Sequence, residues 1–322
     1  MVNGNRRLRW PKWALAVGAV GAALRLRQFF SCRSLWYDEA LLALNVLHRS
    51  CKGLFEPLDY HQGAPVGFLL LEKLSTQLAG KRELALRTMP LLAGIVSLVV
   101  FYEVARLYLS AKAVPIAFIL FALSKNLICY SSEAKQYSTD VLVTLALLYV
   151  VFRLSDDSLT RRKLFEAGGV GALAIRFSHP GSFVLGGAAV VLIIDSLLSG
   201  GTQKLRRLMW IFFTWGASWA LSYSVSLRSL GRDTVLLDYW RGTFPPHALS
   251  QIVPWLVDSF FAAFQNPASL NVVLGTSLLI AGCGQLFRER KRTLGFLIAP
   301  LVMVFLASLL HRYLFSGRSL LC

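Results

Sequence analysis

Two adjacent carboxylates, Asp38 and Glu39, stand in the run Ser34-Leu35-Trp36-Tyr37-Asp38-Glu39-Ala40, with Leu41 and Leu42 following. Aromatic and aliphatic residues at that density favour the boundary between membrane and water. Carboxylates held at that depth can act on a substrate presented by a bilayer, and a carboxylate beside an acceptor hydroxyl can take its proton. A plainer reading is also open. Acidic residues are favoured in the first turn of a helix, and the pair would then be solvated residues opening an amphipathic helix.

A second polar cluster, Glu133, Lys135, Tyr137 and Asp140, lies in the run from Tyr130 to Asp140. Alone it could be a solvated helix end. Lys125, Lys135, Arg176 and His179 fall near the same surface if the apolar stretches alternate across a membrane. Cations close to a carboxylate pair suit a lipid-phosphate substrate, because they bind the phosphate and stabilise its charge as it leaves. Inverting sugar transfer, like inverting hydrolysis, needs a base on the face opposite the leaving group. His61 and His179 are isolated, and the five cysteines are scattered without metal-like or redox pairing. Asp38, Glu39 and Glu133 are hard oxygen ligands able to hold a divalent cation such as Mg or Mn. The spacing names no metal site, and no cofactor is certain.

The elements that must position these residues are apolar helices. The 322 residues are 55% hydrophobic and 16% charged, with a mean hydropathy of +0.55. Several runs approach the ~20 residues that span a bilayer, so an all-α, polytopic membrane protein of about nine spans is expected. The spans are read at 11–30, 88–108, 114–130, 139–154, 165–178, 181–198, 208–226, 271–287 and 294–310. The net charge of +17 comes from 34 Lys and Arg against 17 Asp and Glu. Basic clusters such as Arg161-Arg162-Lys163, Lys204/Arg206/Arg207 and Arg288 to Arg292 sit between apolar runs, as the positive-inside rule produces. Topology therefore accounts for much of the charge, and nucleic acid is excluded as a partner.

The basic start, Arg6, Arg7, Arg9 and Lys12, places the N-terminus in the cytoplasm, and no small-residue cleavage site follows the first apolar run. Arg25 and Arg27 are expected to snorkel to headgroups at the far end of that helix. Residues 31–87, 131–140, the 176–180 turn and 227–268 then fall outside. An amphipathic interfacial helix is expected over 66–78, and Glu103 pairs with Arg106 on one helix face. The chain reads as a single membrane-embedded domain over 1–322, in the cytoplasmic membrane with its active face outside. Membrane lipids are partners; the oligomeric state is not legible.

With these motifs in order, the chain resembles the GT-C glycosyltransferases, in the bacterial branch related to protein O-mannosyltransferases and lipid A aminoarabinose transferases. The resemblance is carried by a basic N-terminus, one span and Arg33-Ser34-Leu35-Trp36-Tyr37-Asp38-Glu39-Ala40. His61-Gln62-Gly63-Ala64-Pro65, Glu83 through Arg87 to Pro90, Ser132-Glu133-Ala134-Lys135-Gln136-Tyr137 and Ser178-His179-Pro180 follow at matching spacing. It implies that Asp38 is the catalytic base with Glu39 beside it, that Glu133 completes the site, and that the donor is a polyprenyl-phosphate sugar. His61, Gln62, Arg87, Lys135, Tyr137, Arg176 and His179 are the candidate substrate-binding residues. Two departures stand out. Gln62 replaces the Lys that aminoarabinose transferases place just before the loop proline, which shifts phosphate contact toward Lys135 or Arg176. The chain also stops soon after Arg312-Tyr313-Leu314-Phe315-Ser316-Gly317-Arg318, where family members continue, so the resemblance implies a C-terminally truncated product.

The leading reading is a membrane glycosyltransferase moving a sugar from that donor to a lipid, glycan or protein acceptor. The alternatives are a multi-span transporter or lipid flippase, and an inactive fragment that binds a partner or lipid. Transporters tend to place polar groups in broken helices at the bilayer midplane and often show repeats; here the polar clusters gather at one face and no repeat is present.

Overall fold

A computed structural model describes residues 10–31, 33–80, 82–154, 159–246, 248–315 and 317, and among these every regular element is helical. The first half of the chain forms α1 (Lys12–Phe30), α2 (Tyr37–His48), α3 (Val66–Ala79), α4 (Glu83–Tyr108), α5 (Ala113–Ala122), α6 (Lys125–Tyr130) and α7 (Tyr137–Leu154). There follow α8 (Arg161–Phe177), α9 (Gly181–Leu198), α10 (Thr202–Ser222), α11 (Arg228–Leu230), α12 (Thr234–Tyr239), α13 (Leu249–Gln265), α14 (Val272–Glu289) and α15 (Lys291–Leu309). Every stretch expected to span carries helix. By length and composition α4, α7, α9 and α15 are sufficient to cross a membrane, and α5 is a shorter apolar helix. The basic start at Arg6, Arg7 and Arg9, together with Ser316 and Arg318 of the late motif, lies outside the described residues.

Two expectations are corrected. The stretch 114–130 is not one helix but two, because the chain breaks at Leu123 and restarts where the Ser124 hydroxyl caps α6 by accepting from the Leu127 N–H. Arg25 does not snorkel, although Arg27 is exposed. The Arg25 side chain is buried, and its Nη1 donates to the carbonyls of Gly21 (2.9 Å) and Ala122 (3.0 Å). The broken helix is the cause: the last carbonyls of α5 have no partner further along the chain, and Arg25 supplies a donor.

Small residues let the helices close up, as they do where backbones must approach in lipid. A Cβ on Gly94 of α4 would stand 2.6 Å from that of Ser131, so the 131–136 loop lies directly on α4. A Cβ on Gly67 of α3 would stand 2.6 Å from the Arg176 carbonyl oxygen, which brings the start of α3 onto the end of α8. The amphipathic helix expected at 66–78 is therefore α3, and its apolar side, including Phe68 and Leu69, is buried. It packs on α2, α4 and α8.

The connections sort into two sets. At one end Arg290 donates to the Leu107 carbonyl (3.2 Å) and Arg207 to the Leu159 carbonyl (3.3 Å), while Asp195 binds Arg292 (2.6 Å) and Lys204 (3.1 Å). Residues 33–63, 131–140 and 176–180 meet at the other end, and the 227–244 segment joins them. There Phe244 lies against His311 and Phe183 against Tyr313, with ring centroids 5.0 and 4.7 Å apart. The expected Glu103–Arg106 pair forms at 3.5 Å.

Candidate functional site

The site is built where two loops far apart in sequence are tied together by one carboxylate. Glu39 is the third residue of α2, close enough to the helix start to reach back. Its Oε2 accepts the Trp36 N–H (2.8 Å), the acidic half of a capping box. Its Oε1 accepts the Ala134 N–H (2.7 Å), joining the first loop to the second. Arg33 sits over the Trp36 ring and places Nη2 at 3.3 Å from Glu39 and 3.6 Å from Glu133. Behind them Arg87 is fully buried; its Nη1 donates to the Arg33 carbonyl (2.7 Å) and its Nε stands 4.0 Å from Glu39. Glu39 is itself 1% exposed.

Asp38, one residue earlier, differs from its neighbour. Its side chain is 44% exposed, and Lys135 Nζ lies 3.7 Å from Oδ2. Lys135 is buried and donates to Gln62 Oε1 (2.8 Å), so the turn before α3 aims the ammonium at Asp38. That turn is a sharp one. Tyr60 and His61 both have positive φ, 62° and 55°, a conformation that costs non-glycine residues about 1–3 kcal/mol each. His61 Nδ1 contacts Asp233 Oδ2 at 2.7 Å, and a Cβ on Gly63 would collide with Leu230. Asp233 also caps α12 by accepting the Leu236 N–H (3.1 Å). Partial burial pushes its carboxyl up, but the His61 and backbone hydrogen bonds outweigh this and hold it below the usual carboxylate range.

The remaining candidates line the same end. Tyr137 is half-buried, its ring centroid 5.3 Å from that of Tyr130, whose hydroxyl donates to Asn266 (2.7 Å). The 227–268 segment and the residues just after it thus touch both loops. Arg176 is half-buried at the end of α8, beside the start of α3. His179 is buried, among the described residues neither ring nitrogen is hydrogen-bonded, and burial pushes its imidazole down to about 4.

The structure therefore brings Asp38, Glu39, Gln62, Glu133 and Lys135 into one linked cluster, with Arg87 holding it from beneath. His61 is attached through the turn it shares with Gln62, and Tyr137, Arg176 and His179 stand at the edges. Arg33 and Asp233 were missed. Arg33 is a cation inside an interfacial aromatic run, which is a usable signal; nothing local to Asp233 reveals a partner 172 positions away. The trio Asp38, Glu39 and Glu133 does not fit a divalent cation. Glu39 is taken by two backbone N–H groups and Arg33, Glu133 faces Arg33, and Asp38 faces Lys135. Among the described residues no three His, Cys, Asp or Glu side chains form a metal-holding group.

Residues 62–221 match a family model described as dolichyl-phosphate-mannose-protein mannosyltransferase. Among solved structures, the chain is similar in fold to ArnT from Cupriavidus metallidurans bound to undecaprenyl phosphate, at a TM-score of 0.64 and 13% identity. The alignment covers 96% of this chain and 57% of that one, so the chain spans little more than half of that relative's length. A second match is the archaeal oligosaccharyltransferase AglB from Archaeoglobus fulgidus, in complex with an inhibitory peptide and a dolichol-phosphate. It has a TM-score of 0.46 and 16% identity, over 90% of this chain and 39% of that one. No curated protein sequence matches. With its apolar helices and this fold, the chain is a membrane protein.

Proposed function

We propose that the chain is a membrane glycosyltransferase of the GT-C kind, a reading supported by its fold and by the match of residues 62–221 to a mannosyltransferase family model. In this reading it moves a sugar from a polyprenyl-phosphate donor to a lipid, glycan or protein acceptor at the outer face of the cytoplasmic membrane. The observation that carries the reading is the division of labour between adjacent carboxylates. Glu39 is committed to holding two loops together, whereas Asp38 presents a partly exposed carboxylate beside a buried cation.

Asp38 is the general base. It takes the proton from the acceptor hydroxyl as that oxygen bonds to the anomeric carbon and the bond to the lipid phosphate breaks. Lys135, aimed by Gln62, meets the departing phosphate, with Arg176 at the end of α8 as a further cation. An inverting transfer needs space between base and leaving group for the sugar and acceptor. The 3.7 Å contact of Asp38 with Lys135 is then the closed geometry, and an arriving phosphate draws the ammonium away from Asp38. Glu39, Arg33 and Arg87 position the two loops, Glu133 completes the cluster through Arg33, and His61 anchors the 227–244 segment across the site entrance. Tyr137 and His179 shape its wall.

The test is to reconstitute the chain in vesicles with a panel of polyprenyl-phosphate sugars and cell-envelope acceptors, then follow free polyprenyl phosphate and glycosylated acceptor by mass spectrometry. Release of polyprenyl phosphate matched by acceptor glycosylation supports the proposal. Movement of intact sugar-lipid across the bilayer with no bond cleaved would instead identify a flippase.

A further inference from the structure

The end of the helices away from the candidate site carries a groove that sugar transfer does not use. Midway along their length α8 and α10 are locked together. Gly171 leaves room for the Trp215 indole, whose N–H donates to the Ala167 carbonyl (3.0 Å), and the Ser218 hydroxyl donates to that of Ala172 (2.7 Å). Toward Arg161 a groove of about 630 Å³ lies between the two helices. Glycine keeps it open: among the described residues a Cβ on Gly169 would meet nothing within 4 Å, and one on Gly168 only the Thr214 methyl. Leu164 and Ile211 line its apolar part, and Phe165 and Trp210, 85% and 76% exposed, flank it.

The mouth is cationic. Arg161 and Arg207 line the groove, and Arg206 joins Arg207 and Trp210 in the adjoining depression. Among the described residues neither Arg161 nor Arg206 meets a carboxylate. Glu166, the nearest acid on α8, is already held by Arg162 (2.7 Å) and Arg153 (3.8 Å). A free phosphate would answer the arginines but leave the apolar lining and two large aromatic rings bare. A zwitterionic headgroup brings its own cation to the same mouth. The ligand whose chemistry matches both halves is an anionic glycerophospholipid, with phosphate at the guanidiniums and acyl chain along the apolar lining. The volume suits a headgroup and the first part of a chain.

We infer that the groove between α8 and α10 is a binding site for an anionic glycerophospholipid, in the leaflet opposite the candidate transfer site. The full chain is placed in phosphatidylcholine vesicles containing either phosphatidylglycerol or phosphatidylcholine brominated on the acyl chain, at equal mole fraction. The Trp210 emission is obtained by difference from Trp210→Phe. Bromine quenches indole on contact, so the Trp210 component should be quenched several-fold more by the phosphatidylglycerol. Arg161→Gln, at an exposed position, should remove that preference. Gly169→Leu should remove it too, by filling the groove with every arginine in place, so that charge and shape are tested separately. Millimolar inorganic phosphate should leave the preference intact. Equal quenching by the two lipids, persistence of the preference in both variants, or its loss to inorganic phosphate would each overturn the inference.

Discussion

At one end of the helices Asp195 on α9 sits between Arg292 and Lys204, at 2.6 and 3.1 Å, with all three side chains partly open to their surroundings. At the other end Glu39 and Glu133 share Arg33, Glu39 has Arg87 behind it, and Asp38 faces Lys135. The first cluster uses groups at or near helix ends, needs no unusual backbone and has each charge answered. The second buries Glu39, Glu133, Arg87 and Lys135, draws on residues about 95 positions apart, and includes two consecutive non-glycine residues at positive φ. A clamp between helices requires only complementary charge in reach. Cost accumulated at one place, in desolvated charge and strained backbone, signals an arrangement held for what it does.

The contrast can be broken at several points. The largest effect is expected at Asp38: Asp38→Asn should lower transfer by about 10²–10⁴-fold, the range of a lost general base, with thermal stability in detergent unchanged. Full turnover in that variant would remove Asp38 from the mechanism. Glu39→Ala should instead act on the fold. It leaves the Ala134 N–H without its acceptor and the buried Arg87 without its countercharge, for which a loss of about 3–5 kcal/mol is expected, read as a large fall in melting temperature with activity falling alongside. A variant that loses activity but melts like the parent would mean that Glu39 meets substrate directly.

His179 supplies a pH test of the same end. Its imidazole is pushed down to about 4 by burial, against about 6.5 when unfolded. The unfolded chain therefore binds the extra proton first, and stability should fall as pH drops from about 6.5 toward 4, by about 3 kcal/mol in all. Melting curves of His179→Gln should lose that part of the pH dependence; an unchanged slope would show that His179 is not buried as a neutral ring. The smallest effect is expected at the opposite clamp. Asp195→Asn should cost about 1 kcal/mol, as partly exposed pairs do, and leave transfer untouched. A loss of activity there without a loss of stability would erase the distinction between the two ends.

Much of this was legible in the residues. Helix positions followed from apolar run length, and the grouping of loops followed from basic clusters, because lipid imposes both rules on a chain whatever its fold. Asp38–Glu39 and Glu133–Lys135 were expected at one end because alternate crossing brings their loops there, and the contacts of Glu39 with Ala134 and of Lys135 with Asp38 join them. The plain reading of an acidic helix start was right in that both residues open α2 and Glu39 caps it, but Glu39 is buried rather than solvated. Sequence could not say which of the two turns inward, because adjacent residues on a helix point about 100° apart and only the surrounding packing decides which direction is inward.

Composition and period thus determined by themselves that this chain would be helical, membrane-embedded and polar at one end, since those properties follow from each segment's own hydrogen bonding and transfer energy. Tertiary structure alone decided that Arg25 would close the broken end of α5, that Arg33 would bridge two carboxylates, and that Asp233 would reach His61. Such pairings depend on distances between groups far apart along the chain, which the packing of small residues such as Gly21, Gly67 and Gly94 sets, and no local pattern encodes them.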